Sequence, residues 1–296
     1  MHTTPYTFTS DGLRLDAALY ETTPDPTKPV VLANSGFTGL KHIHPERFAR
    51  ALTPLGYRVF AFDYRGFANS EGTKGEVLLE EQARDIANAA TFLKRELDLA
   101  WNDLALLGWG MGGGLVLQAS RMLPHVGGVI AMNGFYDSRR VQRALRGEAG
   151  LRDFHAWLER ENDRRARGES IGLHDPFEIY PLDADSRRYV DDVLRPTPGY
   201  EASVYLNFAQ SLLAFDVEHA LDHLEDTPAL IVHGAENALH PPEEATSLAR
   251  NYPGPVQLEW LDGVGHTEWM LDDHPTFQDA MRRVHAWLEA TWTPAA

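Results

Sequence analysis

The chain alternates between two textures. Short apolar runs rich in β-branched and aromatic residues (PVVLANSG, YRVFAFDYRG, DLALLGW, VGGVIAMNGF, ALIVHGAEN and VQLEWLDG) are separated by segments with helical spacing. Runs of that length and composition read as strands buried on both faces. A strand–helix–strand–helix order pairs them in parallel, with helices above and below the sheet. PERFARALTPLG places Phe48, Leu52 and Leu55 on one side of a helix. VLLEEQARDIANAATFLKRELD is a longer amphipathic helix, MGGGLVLQASRM lies between two strand candidates, and TFQDAMRRVHAWLEATW closes the chain. Ahead of the alternation, TFTSDGLRLDAALYE reads as two strands around a Ser-Asp-Gly turn. The expected architecture is an α/β fold with an eight-stranded, mostly parallel sheet.

One stretch breaks the pattern. From 137 to 224 the text is charged and helical: RRVQRALRG, LRDFHAWLERENDRRARG, ADSRRYVDDVL, YLNFAQSLLAF. Lying between two core strands, it is expected to be a helical insertion packed over one end of the sheet. That leaves 1–136 and 225–296 as the core. Aromatic residues recur in the insertion (Phe154, Trp157, Phe177, Tyr180, Tyr200, Tyr205, Phe208, Phe215). Most are expected to form its own core and a minority to face a pocket.

Composition narrows the partners. With 296 residues, one large domain can bury a core without a disulfide or metal staple. A formal net charge of −16 argues against nucleic acid or an anionic membrane, since both reward clustered Lys and Arg. The absence of cysteine removes thiolate metal sites and a Cys nucleophile. The pair His42 and His44 has no carboxylate at ligand spacing, so no metal and no cofactor is expected. MHTTPYTFTSDG lacks the basic start and apolar centre of a secretion signal, and no apolar run approaches membrane-spanning length. A cytoplasmic protein with a small-molecule substrate is the expectation; oligomeric state, including a homodimer, stays open.

The glycine run in LALLGWGMGGGLVLQAS admits two frames. Gly108, Gly110 and Gly113 fit the dinucleotide spacing G-x-G-x-x-G, whereas Gly108, Gly110 and Gly112 fit G-x-S-x-G with glycine in place of the nucleophile. A dinucleotide loop wants an acid about 20 residues on. Asn133 stands there, and the nearest acid, Asp137, lies beyond the strand. The second frame is the better one.

At this point the chain resembles the α/β-hydrolase superfamily over nearly its whole length. ANSGFTGLK stands where the oxyanion loop follows the third strand, and FDYRGFANSEG matches the family's stretch after the fourth. LALLGWGMGGG matches the nucleophile elbow, VHGAEN the acid-bearing turn and LDGVGHTEW the histidine loop, in the superfamily's order. FDYRGF and YPLDADSRRYVDDVL look like the YcjY-like and dienelactone-hydrolase-like branch with a helical lid.

The resemblance implies a damaged triad. Gly110 holds the nucleophile position, Asn237 the acid position, and His266 alone is retained; Ser35 replaces the usual histidine of the oxyanion loop. Without a hydroxyl or thiol at 110 no acyl-enzyme forms there. Glycine relieves the elbow's backbone strain, so it suits a natural loss of the nucleophile and equally an engineered inactivation. Asn237 orients an imidazole without supplying charge, and His266 is therefore expected to be neutral at pH 7 and to act as a base. Asp137 and Glu236 are candidate substitutes for the missing acid. The oxyanion hole, built from the backbone N–H groups of Phe37 and Met111, is expected to be intact. Ser35, Trp109, Tyr136 and Tyr205 are candidates for contact with substrate.

Three readings follow from these residues. One is an enzyme that polarises a small carbonyl compound (ester, lactone, thioester or β-dicarbonyl) and moves a proton without a serine acyl-enzyme, by hydrolysis, elimination or isomerisation. A second is an inactivated serine esterase. A third is a non-catalytic binding protein, which neuroligins and the N-Myc downstream-regulated proteins resemble in keeping the fold with glycine at the elbow.

Overall fold

A computed structural model describes residues 1–200 and 203–292. A hairpin opens the chain: β1 (His2–Ser10) and β2 (Leu13–Glu21) pair antiparallel. Their two-residue turn puts Asp11 at φ 49° and Gly12 at φ 85°, the left-handed pair that matches the twist of a tight hairpin. The remaining strands are β3 (Val30–Asn34), β4 (Arg58–Phe62), β5 (Leu104–Trp109), β6 (Gly128–Met132), β7 (Ala229–Gly234) and β8 (Val256–Leu261). They form one eight-stranded sheet in the order β1-β2-β4-β3-β5-β6-β7-β8. β2 runs antiparallel to β4, and every pairing from β4 to β8 is parallel.

The four central strands β3, β5, β6 and β7 are buried at every residue. That is why they read as continuous apolar runs rather than as alternating ones. Helices cover both faces. α1 (His44–Leu52) packs with α9 (Pro275–Trp292), α2 (Leu79–Glu96) packs with α3 (Met111–Ser120), and α8 (Pro242–Asn251) packs on β7 and β8. The sequence reading had not singled out α8. The chain leaves β3 for β4 on one side and returns to β5 on the other, so the loops after β3 and β5 diverge. In an open parallel sheet that reversal is where a crevice forms at the carboxyl ends of the strands.

Between β6 and β7 run α4 (Ser138–Ala166, broken at Gly147), α5 (Pro176–Ile179), α6 (Ala184–Tyr189) and α7 (Asn207–Ala214). The two ends of this excursion meet. Ser138 N–H donates to the Phe215 carbonyl at 3.0 Å and Val217 N–H to the Tyr136 carbonyl at 3.0 Å. Beneath the neck lies a buried ion network. Glu244 of α8 accepts from the backbone of Tyr136 and Asp137 and pairs with Arg140, which also reaches Glu218 at 2.6 Å. Among the described residues, no helix is long and apolar enough to cross a membrane, and no group of three or more His, Asp or Glu side chains is placed to hold a metal.

Candidate active site

The turn from β5 into α3 is held at Gly110, whose φ of 58° and ψ of −128° lie outside the range L-residues favour. A side chain forced into such a conformation costs roughly 1–3 kcal/mol. The neighbouring glycines have a different reason. A Cβ on Gly108 would stand 2.0 Å from the Gly112 carbonyl oxygen, and one on Gly112 would stand 2.3 Å from the Ser35 carbonyl oxygen. Both glycines are therefore needed for backbone to pass backbone. A Cβ on Gly110 would instead sit in ordinary contact with the two rings, His266 Nε2 at 3.5 Å and His240 Cε1 at 3.9 Å. The glycine run is thus a packed elbow whose central position faces two histidines.

The loop after β3 lies against this elbow. A Cβ on Gly36 would lie 3.7 Å from the Trp109 carbonyl oxygen and 4.0 Å from the Met111 nitrogen. Buried Gln82 of α2 donates to the Phe37 carbonyl at 2.8 Å and so fixes the peptide beside the candidate donor. Among the described residues, no hydrogen bond within the protein engages the N–H of Phe37 or of Met111. Both remain available to a ligand oxygen.

His266 follows β8, and its Nδ1 lies 3.1 Å from Asn237 Nδ2. The Asn237 side-chain oxygen is already occupied, accepting from the backbone N–H of Leu239 at 3.1 Å and of His240 at 2.9 Å. The amide must therefore present its NH2 to the ring, whichever way it is drawn. His266 Nδ1 accepts that bond, which puts the proton of the neutral imidazole on Nε2, facing Gly110. Burial, reinforced by His233 and His44, holds its pKa well below the usual histidine range. Neutrality agrees with expectation, but the expected role as a base does not. The nitrogen over the elbow carries a proton, and His266 is a hydrogen-bond donor.

Its neighbour has the opposite tautomer. His240 Nδ1 donates to the Asn133 carbonyl at 2.6 Å, and its Nε2 lone pair accepts from the Tyr180 hydroxyl. The two imidazoles are in edge contact, with centroids 4.5 Å apart. Burial pushes the His240 pKa well below and the Tyr180 pKa well above their ordinary values. Asn133, itself at φ 47°, ties this corner together. Its side chain donates to the His266 carbonyl at 2.8 Å and accepts from Gly234 N–H at 2.7 Å.

Above Gly110 is a cavity of about 70 Å³. Its sheet-side lining includes Phe37, Trp109, Gly110, Met111, His240 and His266, while Phe177, Tyr180, Leu182, Ser186, Tyr189, Val190 and Leu194 of the inserted segment roof it. His44 also lines it, 3.1 Å from the Tyr189 hydroxyl, with its pKa lowered to about 3 chiefly by burial. Among the described residues, no Lys or Arg lines this space.

Several expected residues lie elsewhere. Ser35 is buried beside the elbow, where its carbonyl meets Gly112, and does not line the cavity. Tyr136 is buried under the neck, away from the lining. Tyr205 is 39% exposed and faces a surface depression with Thr73 and Arg165. Asp137 caps α4 by accepting from Arg139 N–H at 2.8 Å, and Glu236 is exposed. Neither carboxylate bonds His266, whose Nδ1 is taken by Asn237. Conversely, His44, Tyr180, Tyr189 and His240 had not been assigned to the site. The nearest sequence signal is the three-residue step from Asn237 to His240, which becomes readable once that turn's hydrogen bonds are known.

The family model "Hydrolase_4: Serine aminopeptidase, S33" matches residues 25–272. A thiohydrolase, aneE, of Aspergillus aculeatus is 30% identical over 287 residues, 89% of this chain and 86% of its own. An uncharacterized 31.7 kDa Escherichia coli protein encoded in the traX-finO intergenic region is 23% identical over 223 residues, 74% of this chain and 76% of its own. The crystal structure of the α/β hydrolase GrgF from Penicillium superposes with a TM-score of 0.78 at 19% identity, covering 99% of both chains. Strand order, elbow, histidine loop and family match converge: the chain belongs to the serine aminopeptidase S33 family of the α/β-hydrolase superfamily.

Proposed function

We propose that this protein is an enzyme of carbonyl chemistry that works without a serine acyl-enzyme. The observation that carries this reading is a set of free donors at the elbow. Phe37, Met111 and His266 all line the cavity above Gly110. The backbone N–H groups of the first two are unengaged among the described residues, and His266 Nε2 lies 3.5 Å from a Cβ placed on Gly110. Preorganised neutral donors in a poorly solvated site stabilise the negative charge that a carbonyl oxygen gains, and a neutral imidazole serves as one of them in known enzymes. With no side chain at 110, a water or the substrate itself occupies the nucleophile's place. The small roofed cavity fits compact esters, thioesters or lactones, and the segment 137–224 acts as its cap. The thiohydrolase relative fits this substrate class.

The test is turnover of p-nitrophenyl acetate, a short thioester and a small lactone. His266→Ala is expected to lower kcat by about 10²–10³, the loss typical of one oxyanion donor. A fluorophosphonate probe should leave the intact mass unchanged, because residue 110 has nothing to phosphonylate. Equal turnover by parent and His266→Ala sinks the reading.

A second reading, an inactivated serine esterase, is favoured by one observation. Position 237 is shaped for a carboxylate: one oxygen would keep the Leu239 and His240 N–H bonds while the other faced His266 Nδ1.

A further inference from the structure

Two histidines meet at the elbow, and only one presents a lone pair to a group that can hand it a proton. We infer that Tyr180 of the inserted segment and His240 of the turn after β7 form the proton-transfer pair of this site, with Tyr180 touching the substrate and His240 acting through it. The inference rests on the carbonyl-chemistry reading above and supplies the base that His266 cannot be.

The geometry fixes each proton. The Asn133 carbonyl accepts from His240 Nδ1–H at 2.6 Å, so His240 Nε2 is unprotonated, and the Tyr180 hydroxyl donates to it. The Tyr180 proton is thereby committed, leaving its oxygen as an acceptor on the cavity wall. The His240 ring lines the cavity with its Cε1 toward Gly110, but its Nδ1 is held by the Asn133 carbonyl and its Nε2 by the Tyr180 hydroxyl, so Tyr180 is the route from Nε2 to the cavity. On the far side, Phe37, Met111 and His266 present N–H donors. The cavity therefore has donors at the elbow and an acceptor in its roof, the two polarities needed by a reaction that builds an oxyanion while removing a proton.

For hydrolysis the bookkeeping closes without an added oxidant or reductant. Water's oxygen bonds to the acyl carbon, its proton passes to Tyr180 Oη, and the Tyr180 proton passes to His240 Nε2. The carbonyl π pair moves to oxygen, where the elbow donors hold it. On collapse the C=O re-forms and the acyl–O or acyl–S bond breaks. The leaving alkoxide or thiolate recovers the proton along the same path, giving an acid and an alcohol or thiol.

A Tyr180–His240 bond that only fastens the roof would look the same at rest, so the test separates the two roles. Tyr180→Phe keeps the ring and removes the hydroxyl. On p-nitrophenyl acetate and the short thioester it should lower kcat by about 100-fold, with KM moving less than about threefold, and abolish the solvent deuterium isotope effect on kcat. His240→Gln should lose as much, and the double variant no more than either single one, because the residues act as a unit. Nitrogen-15 imidazole spectra of the parent should show His240 protonated at Nδ1 and His266 at Nε2. Turnover retained in Tyr180→Phe, a change confined to KM or melting temperature, or a His240 proton on Nε2 overturns the pair while leaving the carbonyl-chemistry reading standing. A parent inactive on every probe overturns that reading, and the pair with it.

Discussion

The two walls of the cavity are built on different principles. The sheet-side wall stands on the carboxyl ends of β3, β5, β7 and β8, and backbone geometry dictates it. Gly108 and Gly112 let two chains pass within contact, Asn133 ties the loops after β7 and β8, and the Asn237 oxygen caps two N–H groups. The roof comes from α5, α6 and the turn that follows. Its side-chain polar links to the wall below, among the described residues, include Tyr180 to His240, Tyr189 to His44 and Arg47, and Ser186 to Thr267 at 3.4 Å. The wall is held by close backbone passage and buried amide hydrogen bonds, whereas the roof is mostly apolar and carries the hydroxyls of Tyr180, Ser186 and Tyr189. An elbow can therefore lose its nucleophile and remain an elbow, since its shape depends on the glycines flanking position 110.

The largest effect expected from that contrast is a gain of function confined to the wall. Gly110→Ser alone should form no serine acyl-enzyme and gain no turnover over the parent, because His266 Nε2 carries a proton and cannot take one from serine. Adding Asn237→Asp reverses the tautomer while preserving both backbone bonds. The double variant should exceed the single one by about 10⁴ in kcat, the size of the corresponding loss in a serine-protease triad. Only the double variant should react rapidly with a fluorophosphonate, and it should be less stable than the parent by roughly 1–3 kcal/mol. A fast Gly110→Ser single variant contradicts the tautomer assigned to His266.

Next in size is damage to the wall's backbone. Gly112→Ala drives a methyl group to 2.3 Å from the Ser35 carbonyl, where neither partner is a flexible side chain. Overpacking of this kind costs about 1–3 kcal/mol or more. A loss at or above the upper end is expected in urea denaturation. By contrast, Gly168→Ala, where nothing lies within 4 Å, has only its φ of 78° to pay for. Equal losses at the two positions contradict the idea that close backbone passage holds the elbow.

How much of this was readable in the sequence follows the same division. Strand order, elbow and histidine loop could be read because backbone constraints leave marks at fixed spacing, such as glycine where a Cβ has no room. The roof left no such marks. Tyr180 and Tyr205 are both aromatic residues of the inserted segment, yet one bonds His240 and the other lies at the surface. The family-like stretch YPLDADSRRYVDDVL begins at Tyr180, but nothing in it says that this tyrosine meets His240, because a loop's path over the sheet depends on contacts between residues far apart in the chain. The role of His266 was misjudged for a related reason. Its tautomer depends on where the Asn237 oxygen points, and two backbone N–H groups decide that.

A smaller effect, shared by wall and roof, is expected from pH. Burial lowers the pKa of His44 to about 3, of His233 to about 4, and of His240 and His266 well below the ordinary value. Each binds its proton more readily when unfolded, so its contribution to stability is complete above about pH 6.5 and is lost as pH falls. Glu244 works the other way. Burial raises it to about 7, so between about pH 4.5 and 7 the folded state holds its proton more tightly and gains stability as pH falls. Burial also lowers the His223 pKa and raises that of Asp63, while the Asp216 hydrogen bond raises that of His219, so five histidines oppose two carboxyls and one histidine. The net expectation is a lower urea midpoint at pH 5.5 than at pH 7.5, and a flat or rising midpoint on acidification contradicts the burial of these rings as neutral species.

The smallest effects are expected at the two carboxylates that might have stood in for the missing acid. Glu236 is exposed and makes no bond to His266, so Glu236→Ala should shift stability by less than about 0.5 kcal/mol and leave turnover unchanged. Asp137 caps α4 at the neck of the inserted segment, and Asp137→Ala should cost about 1 kcal/mol through the lost cap. Because that cap lies outside the cavity lining, the variant should keep the parent's kcat and pH–rate profile on p-nitrophenyl acetate. The pair of variants separates structural from chemical service by a carboxylate. A melting-temperature loss without a rate loss in Asp137→Ala places that residue in the frame of the roof. A rate loss in either variant, with a displaced acidic limb, would show instead that a carboxylate reaches His266 when substrate is bound, and the donor role assigned to that histidine would have to be withdrawn.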